Sequence, residues 1–280
     1  MNEPRALSTV EHSIDYRAAT EWPEHPYPGS RPAASFVLDT DQTLRVLVPD
    51  QRMSSGWRVG ADPVRGACLD TWLVARNQAP LADRKALLAY GSNANPSKLA
   101  AWAGLLPAVV LRCTLTDAAA AWCNGTRSRG DVPATLVAAP GACETHSVML
   151  VTSAHLEIID SFEGRTAGRT SNRYDLLALS ECQVSLETGY PVANVYAYVG
   201  GREERHPLAD PSDPDRGILF AGSVAQSVAA ALVVSGRGRR VPDVKPLGRI
   251  VTRVTSEPAP TTRATLGWSR GPFRPASVPR

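Results

Sequence analysis

The sequence lacks the patterns that mark most metal-dependent, nucleotide-binding and serine-nucleophile enzymes. It has five cysteines and five histidines, but no Cys-x-x-Cys pair and no His/Cys cluster with metal-ligand spacing. It has no Gly-x-Gly-x-x-Gly or phosphate-binding loop, and no Gly-x-Ser-x-Gly elbow around a nucleophilic serine. We therefore predict no bound metal and no cofactor. The cysteines are predicted to be buried free thiols in a reducing compartment.

The chain also lacks a long apolar run and a strong net charge. Glu3, Glu11 and Asp15 lie where a signal peptide would be apolar, so a cytoplasmic protein is expected. The longest weakly charged run, residues 218–234, contains no Lys, Arg, Asp or Glu, falls slightly short of a bilayer span and is predicted as a helix. The net charge is only +3, yet residues 237–280 hold ten basic residues against two acidic ones. The body of the chain is therefore mildly acidic and its tail is basic.

Composition and the positions of proline-rich, polar and basic stretches divide the chain into four predicted parts. Residues 1–84 form an N-terminal extension or small accessory domain, in which the proline-rich residues 1–34 predict an extended or disordered arm. Residues 85–200 form the main domain. Residues 201–236 hold a polar loop and a helix, and residues 237–280 form a basic Arg/Pro-rich tail.

Short apolar segments separated by turn residues predict a mixed α+β fold with a curled or barrel-like sheet and peripheral helices. The predicted strands of the main domain are residues 87–90, 109–116, 134–138, 147–152, 174–179 and 195–199. The predicted helices are residues 96–103 and 153–161, with Ser153 as the N-cap of the second. Outside the main domain, one or two strands are predicted in residues 34–49, a short helix around 69–73 and a strand at 250–254.

The segment from Leu87 to Pro96 is the most informative local pattern. An apolar strand reaches a Gly-Ser-Asn turn, Asn95 suits an N-cap, and Pro96 suits the first helical position. Free N–H groups at such a helix start favour an anion, and Gly91 permits close approach of the backbone to a ligand. The alternative is an ordinary strand–turn–helix joint.

The motifs around this turn resemble the γ-glutamylcyclotransferase-like superfamily, which includes butirosin-pathway-type cyclotransferases. Tyr90-Gly91-Ser92-Asn93 is similar to its signature turn, and residues 118–140 to its glycine-bearing loop and following strand. Asp160-Ser161-Phe162-Glu163-Gly164 resembles its Asp-x-x-Glu-Gly motif, Tyr174 opens a matching strand, and residues 195–199 match its closing aromatic strand. The resemblance covers roughly residues 85–200.

The resemblance implies a small mixed β-barrel with peripheral helices and an enzyme that cyclises a γ-glutamyl group. The free α-amine of that group attacks its own side-chain amide, which releases 5-oxoproline and an amine or amino acid. The resemblance makes Glu163 the catalytic acid/base, and one carboxylate that reaches both nitrogens can move the proton. The predicted substrate-binding residues are Tyr90, Gly91, Ser92, Asn93 and Tyr174. The partner is then a small-molecule γ-glutamyl conjugate.

Each of these residues has a structural alternative. Glu163 alternatively belongs to a solvated acidic helix end, Tyr90 is alternatively a core aromatic, and Tyr174 alternatively only opens a strand. Arg127 and Arg129 either grip a substrate carboxylate or belong to a solvated loop.

Two other functional hypotheses stay open: hydrolysis of a different small amide, and a non-catalytic member of the fold whose basic tail contacts an acidic partner. No membrane is expected as a partner and nucleic acid is not the favoured one. The oligomeric state is not predicted.

Overall fold

A computed structural model describes residues 17–169, 171–209, 217–241, 244 and 247–251. Within these residues the strands are β1 Arg17–Ala18, β2 Phe36–Leu38, β3 Thr43–Pro49, β4 Trp57–Val59, β5 Ala67–Cys68, β6 Lys85–Ala89, β7 Ala108–Trp122, β8 Ala134–Val151, β9 Tyr174–Leu179, β10 Gln183–Leu186, β11 Val195–Gly200, β12 Leu208–Ala209, β13 Arg239–Arg240 and β14 Gly248–Ile250. The helices are α1 Leu69–Val74, α2 Pro96–Ala100, α3 Ser153–Glu163 and α4 Gln226–Val234.

Twelve of these strands form one sheet, so the predicted mixed α+β class is confirmed. The strand order is β14-β9-β11-β6-β8-β7-β2-β3-β4-β5, with β1 paired to β3 and β10 to β7. All pairs are antiparallel except β11 with β6, which is parallel. Among the described residues the two ends of this path do not pair with each other, so the closed barrel stays a prediction.

The long β7–β8 hairpin corrects the expectation of two separate strands at residues 134–138 and 147–152. One continuous strand, Ala134–Val151, pairs with β7, and the register shifts between Thr116 and Ala118. At that irregularity the Asp117 carboxylate accepts the Gly141 N–H at 2.9 Å. The Pro140-Gly141 pair therefore bulges without ending the strand, because a side chain satisfies the N–H that leaves the ladder.

The N-terminal residues add strands to the same sheet. β2 pairs with both β3 and β7, and β4 and β5 continue the sheet beyond β3. This confirms two strands in residues 34–49 and the short helix at 69–73, observed as α1. The division of the chain into four domains stays a prediction.

Residues 17–34 correct the expectation of an extended or disordered arm. This segment contains a paired strand and packs against α2, where the buried Asn95 amide donates to the carbonyls of Trp22, Pro23 and Ser30. The proline density blocks regular structure, but side-chain hydrogen bonds replace the missing backbone ones. Residues 1–16 lie outside the described residues.

Three further element boundaries differ from the predicted ones. Residues 218–221 were expected to be helical, but Ala121 bridges Phe220 and Ala221 N–H donates to the Ala120 carbonyl, so the helix begins only at Gln226. The N-cap of α3 is Thr152, whose hydroxyl accepts the His155 N–H at 3.2 Å, one residue before the predicted cap. The predicted strand at 250–254 overlaps β14 only at Ile250, and residues 252–280, most of the basic tail, lie outside the described residues.

The core lies on both faces of the sheet, because successive residues of a strand point to opposite sides. Leu87 packs in the cluster that α2 and α3 cover with Leu99, Leu156 and Ile159, whereas Leu88 packs in the cluster on the other face. Burying each such leucine or isoleucine contributes about 1.5–3 kcal/mol. This packing fixes the end of β6 and the end of α3 relative to each other, and the candidate site lies between them.

In the described part of the chain, no helix is both long and apolar enough to cross a membrane.

Candidate active site

The turn after β6 has the local structure that the sequence predicts. β6 is buried throughout, Gly91 leads into a single 3₁₀ turn at Ser92–Ala94, and Asn95 caps α2 by accepting the Lys98 N–H at 2.9 Å. α2 spans only five residues. A helix this short has little macrodipole, so the turn itself, rather than α2, must supply any anion-binding groups.

Gly91 is required by a close approach rather than by its backbone angles. A Cβ at position 91 would lie 2.7 Å from the hydroxyl oxygen of Tyr27, and the next atom of that ring, Cζ, lies at 3.8 Å. The Tyr27 hydroxyl cannot easily move, because the ring is buried and the oxygen accepts the Ala134 N–H at 3.2 Å. Only glycine lets the turn and the N-terminal segment meet here.

A Gly91→Ala substitution should therefore destabilise the protein by about 1–3 kcal/mol, the usual cost of overpacking. In the Tyr27→Phe background the same substitution should cost at least about 1 kcal/mol less, because the nearest atom is then at an ordinary contact distance. Urea unfolding of the four proteins in this double-mutant cycle measures the coupling. An equal cost of Gly91→Ala in both backgrounds would contradict the contact.

Glu163 is the last residue of α3, and two features fix its position. Gly164 ends the helix in the left-handed region at φ 66°, and a Cβ there would lie 3.1 Å from the Arg173 guanidinium. The Arg173 guanidinium in turn donates to the carbonyls of Phe162 and Glu163, two acceptors that the helix end leaves open. The half-buried Glu163 side chain is thereby directed from a capped helix end toward the turn.

Hydrogen bonds join Glu163 to the turn. The Asn93 side-chain amide donates from Nδ2 to Glu163 Oε1 at 2.9 Å. The Lys98 ammonium donates to Asn93 Oδ1 at 2.6 Å and to Ser92 Oγ at 2.7 Å. Because the ammonium group can only donate, it makes the Asn93 oxygen face Lys98 and the Asn93 NH₂ group face Glu163. Lys98 therefore orients the residue that holds the carboxylate.

Burial lowers the pKa of Lys98 to about 8, while the Glu163 charge raises it and the Arg127 and Arg173 charges lower it. The unfolded chain keeps its lysine proton up to about pH 10.4. Between these values the unfolded state binds more protons, so this group makes the fold more stable as the pH rises.

We therefore expect the free energy of unfolding of the wild type, relative to Lys98→Met, to increase from pH 8 to pH 10. Subtracting the free energy of unfolding of Lys98→Met from that of the wild type removes, to first order, the contribution of all other titrating groups. Chemical denaturation at several pH values measures it. A difference that is constant or decreases over this range would contradict the environment described for Lys98.

All six predicted site residues line one cavity of about 590 Å³, a volume typical of small-molecule sites. The cavity brings together Tyr90, Gly91, Ser92, Asn93, Glu163 and Tyr174. Their catalytic and binding roles stay predictions. Sequence reasoning missed several other residues that line it, namely Glu24, Tyr27, Lys98, Trp102, Arg173 and Arg205.

Several tyrosines line the cavity, and two of their hydroxyl groups already donate a hydrogen bond to a protein carbonyl. Tyr90 donates to the Tyr198 carbonyl, and Tyr174 donates to the Ala134 carbonyl at 3.2 Å. Burial raises the pKa of Tyr27 to about 12 and the pKa values of Tyr90 and Tyr174 well above the usual value. These hydroxyls stay neutral, so in this arrangement Tyr90 and Tyr174 offer a ligand ring surface rather than a free donor.

One aromatic pair lies at the cavity beside Glu163. The Phe162 ring, which is about half exposed, stacks on Trp102 with 4.7 Å between centroids and 14° between planes. The Lys98 ammonium lies 4.8 Å from the Trp102 ring centroid. This stack gives the cavity an apolar wall next to its polar groups.

In the part of the chain that the structure describes, no cysteine lines this cavity, although the buried Cys123 thiol donates to the carbonyl of Arg205, which does. All five cysteines are free thiols, but only Cys113 and Cys123 are buried, so the expectation of five buried thiols is wrong. Cys143 is exposed because it lies on the solvent-facing side of β8, as Gly141 and Thr145 do. Among the described residues no group of three or more His, Cys, Asp or Glu side chains has the arrangement of a metal site.

Comparison with known proteins gives a limited set of similarities. No protein-family model matches the sequence, and no curated protein matches it. A solved structure named γ-glutamyl cyclotransferase is 17% identical, with a TM-score of 0.36 over 60% of this chain and 94% of its own. YkqA from Bacillus subtilis is 12% identical, with a TM-score of 0.34 over 68% of this chain and 63% of its own.

At these identities and TM-scores, neither structure assigns a reaction to this chain. The match also spans less than two thirds of YkqA. The first of these structures bears the name of the superfamily that the sequence motifs resemble.

Proposed function

We propose that this protein is a γ-glutamyl cyclotransferase, which converts a γ-glutamyl conjugate into 5-oxoproline and a free amine. The observation that carries the proposal is the hydrogen bond between Glu163 and Asn93 across one cavity. The carboxylate is half-buried and lies beside a turn rich in backbone N–H groups, and both line a cavity that has room for a ligand.

The reaction needs only one proton-transfer group and no protein nucleophile. The substrate α-ammonium loses a proton, and its nitrogen then forms a bond to the γ-carbonyl carbon. The bond from that carbon to the leaving nitrogen breaks as the leaving nitrogen gains a proton. Because the attacking nitrogen ends as the lactam N–H, it loses a second proton after the new bond has formed, and the released amine takes up that proton as well. Glu163 accepts each proton from the attacking nitrogen and gives it to the leaving nitrogen, so the carboxylate is restored at the end of each cycle.

Negative charge develops on the γ-carbonyl oxygen during attack, and the turn supports it. The first N–H groups of a helical turn have no partners within that turn, so those of the Ser92–Ala94 segment are suited to an oxyanion or to the substrate α-carboxylate. The Lys98 ammonium beside Ser92 and Asn93 adds positive charge at the same place. The turn therefore orients the substrate while Glu163 moves the proton.

The assignment is tested by incubating the full chain with γ-glutamyl-alanine and with its N-acetylated form, then measuring 5-oxoproline and glutamate. We expect 5-oxoproline from the first compound only, because acetylation removes the attacking amine. Glutamate or acetylglutamate from both compounds would indicate hydrolysis of an amide and reject cyclisation. Release of no product from a panel of γ-glutamyl amines and peptides would reject catalysis and favour a binding role.

A further inference from the structure

The cavity contains more positive charge than a γ-glutamyl group can balance. Its lining includes the cations of Lys98, Arg127, Arg129, Arg173 and Arg205. It includes only two carboxylates, Glu24 and Glu163, which leaves an excess of three positive charges. A γ-glutamyl group carries one ammonium and one carboxylate and is neutral overall. The excess charge must therefore face another part of the ligand or solvent.

Three of these cations are already bound to the protein. Lys98 holds Ser92 and Asn93, and Arg173 caps α3. Arg205 is buried and donates to the Glu204 carbonyl at 2.9 Å. Carbonyl and hydroxyl oxygens accept some of the hydrogen bonds that these three cations can donate. These oxygens are uncharged, so they do not neutralise the cations.

Among the described residues, Arg127 and Arg129 are the two of these cations whose guanidinium groups donate to no protein oxygen. The Arg127 guanidinium lies 5.2 Å from the centroid of the Tyr27 ring, and Arg129 Nη1 lies 2.5 Å from His25 Nε2. Asp131 is the acid of this loop, but it faces His25, with 3.7 Å between Oδ2 and Nδ1. Within the described residues, neither arginine has a carboxylate oxygen within 4.0 Å.

The loop that carries these two arginines is fixed at its base. The Arg127 N–H donates to the Asp131 carbonyl at 2.7 Å, and the Gly130 N–H donates to the Arg127 carbonyl at 2.9 Å, which closes a tight turn. Before it, a Cβ at Gly125 would lie 2.7 Å from the Glu204 carbonyl oxygen, so the loop packs directly on its neighbour. Both guanidinium groups are thus presented at the cavity by a defined backbone rather than by a free arm.

We propose that the amine released from this cavity carries two negative charges, as two carboxylates or as one phosphate, and that Arg127 and Arg129 bind them. This inference rests on the proposed function. Guanidinium groups match both acid types because they offer paired N–H donors in one plane. A cationic leaving group, such as a polyamine, would meet like charge and be rejected.

The test measures binding to Glu163→Gln, which removes the proposed proton carrier, by calorimetry. The probes are two matched pairs: γ-glutamyl-glutamate with γ-glutamyl-glutamine, and γ-glutamyl-phosphoethanolamine with γ-glutamyl-ethanolamine. The first pair differs by one carboxylate at constant shape. We expect at least one acidic probe to bind about tenfold more tightly than its partner at low salt, which is the usual effect of a charge-assisted hydrogen bond.

The probe pair that shows the preference identifies whether the acidic group is a carboxylate or a phosphate. The ratio of the two affinities within that pair should fall to about one in Arg127→Gln/Arg129→Gln. It should be unchanged in Arg169→Gln, because Arg169 is exposed and outside the cavity lining. Equal binding within both pairs, tighter binding of the neutral probes, or no binding of any probe would overturn the inference. So would a preference that survives loss of both arginines.

The proposed function fails separately, by the absence of 5-oxoproline with the wild type. If the wild type releases 5-oxoproline equally from acidic and neutral probes that bind equally, the reaction stands and the inference is rejected. If the acidic preference is present but no 5-oxoproline forms, the charge selectivity stands as a property of a binding site and the reaction is rejected.

Discussion

Glu163→Gln is expected to lower the rate of 5-oxoproline release by about 10²- to 10⁴-fold, the usual contribution of a positioned acid/base. Glutamine keeps an oxygen that can accept the Asn93 amide proton, so the hydrogen bond at 2.9 Å and the fold should be retained. What the substitution removes is the ability to take a proton from the α-ammonium and to give it to the leaving nitrogen. The loss should appear mainly in kcat, with a small change in KM.

Glu157→Gln is the matched control for this prediction. Glu157 lies on the same helix, is exposed and does not line the cavity. Its replacement should leave kcat within about twofold of the wild type, because an exposed carboxylate away from the reacting atoms has no proton to transfer. Equal activity of Glu163→Gln and Glu157→Gln would remove Glu163 from the mechanism.

Asn95→Ala is expected to cost roughly 3 kcal/mol of stability, the largest effect we predict on the fold. The side chain is fully buried and makes bonds in two directions. Its oxygen caps α2, and its NH₂ group donates to the carbonyls of Trp22, Pro23 and Ser30 at 2.8–3.1 Å. Alanine would remove the cap and leave those carbonyls without this donor.

Asn95→Asp separates the two roles. Aspartate is as good an N-cap as asparagine, so a pure capping role predicts little loss. A carboxylate cannot donate, however, and it would face the same carbonyl oxygens, so we expect Asn95→Asp to be destabilised nearly as much as Asn95→Ala. Ser97→Ala, which removes one partly exposed hydrogen bond to the Ala19 carbonyl, should cost about 1 kcal/mol or less. Urea unfolding of the three variants gives the comparison. We call the hydrogen bonds by which the Asn95 NH₂ group holds the N-terminal segment the Asn95 clamp, and wild-type stability of Asn95→Asp would contradict it.

This clamp also connects the N-terminal segment to the chemistry. The residues that Asn95 holds flank Glu24 and Tyr27, and both of these line the cavity. Asn95 does not line the cavity itself and is thus a positioning residue, which fixes a segment that does. Loss of the clamp should therefore weaken substrate binding at temperatures where the variant is still folded.

The parts of the site that could be predicted from sequence are those set by local chemistry. Asn95 and Pro96 suit the N-cap and the first position of a helix, and β9 has its predicted bounds, Tyr174–Leu179. Gly164 signals a helix end because few other residues adopt its left-handed conformation. These signals predicted Glu163 at a helix terminus and the turn at a strand end, whereas the expectation that both belong to one site came from the family resemblance.

The parts that could not be predicted depend on contacts between residues far apart in sequence. Tyr27 reaches the turn only because Asn95, 68 positions later, holds the segment around it. The unbroken β8 depends on Asp117 accepting the Gly141 N–H from across the hairpin. Lys98 was closer to being predictable, because it follows Asn93 by five residues at the start of a helix, but its role needs the coordinates of both side chains.

The central claim is that the substrate's own amine, and not water, attacks the γ-carbonyl beside Glu163. The most direct measurement is turnover of γ-glutamyl-alanine in oxygen-18-labelled water with mass analysis of the product. The account predicts 5-oxoproline that contains no oxygen-18, since cyclisation takes no atom from water. Glutamate that contains oxygen-18 would contradict it and make the protein an amide hydrolase.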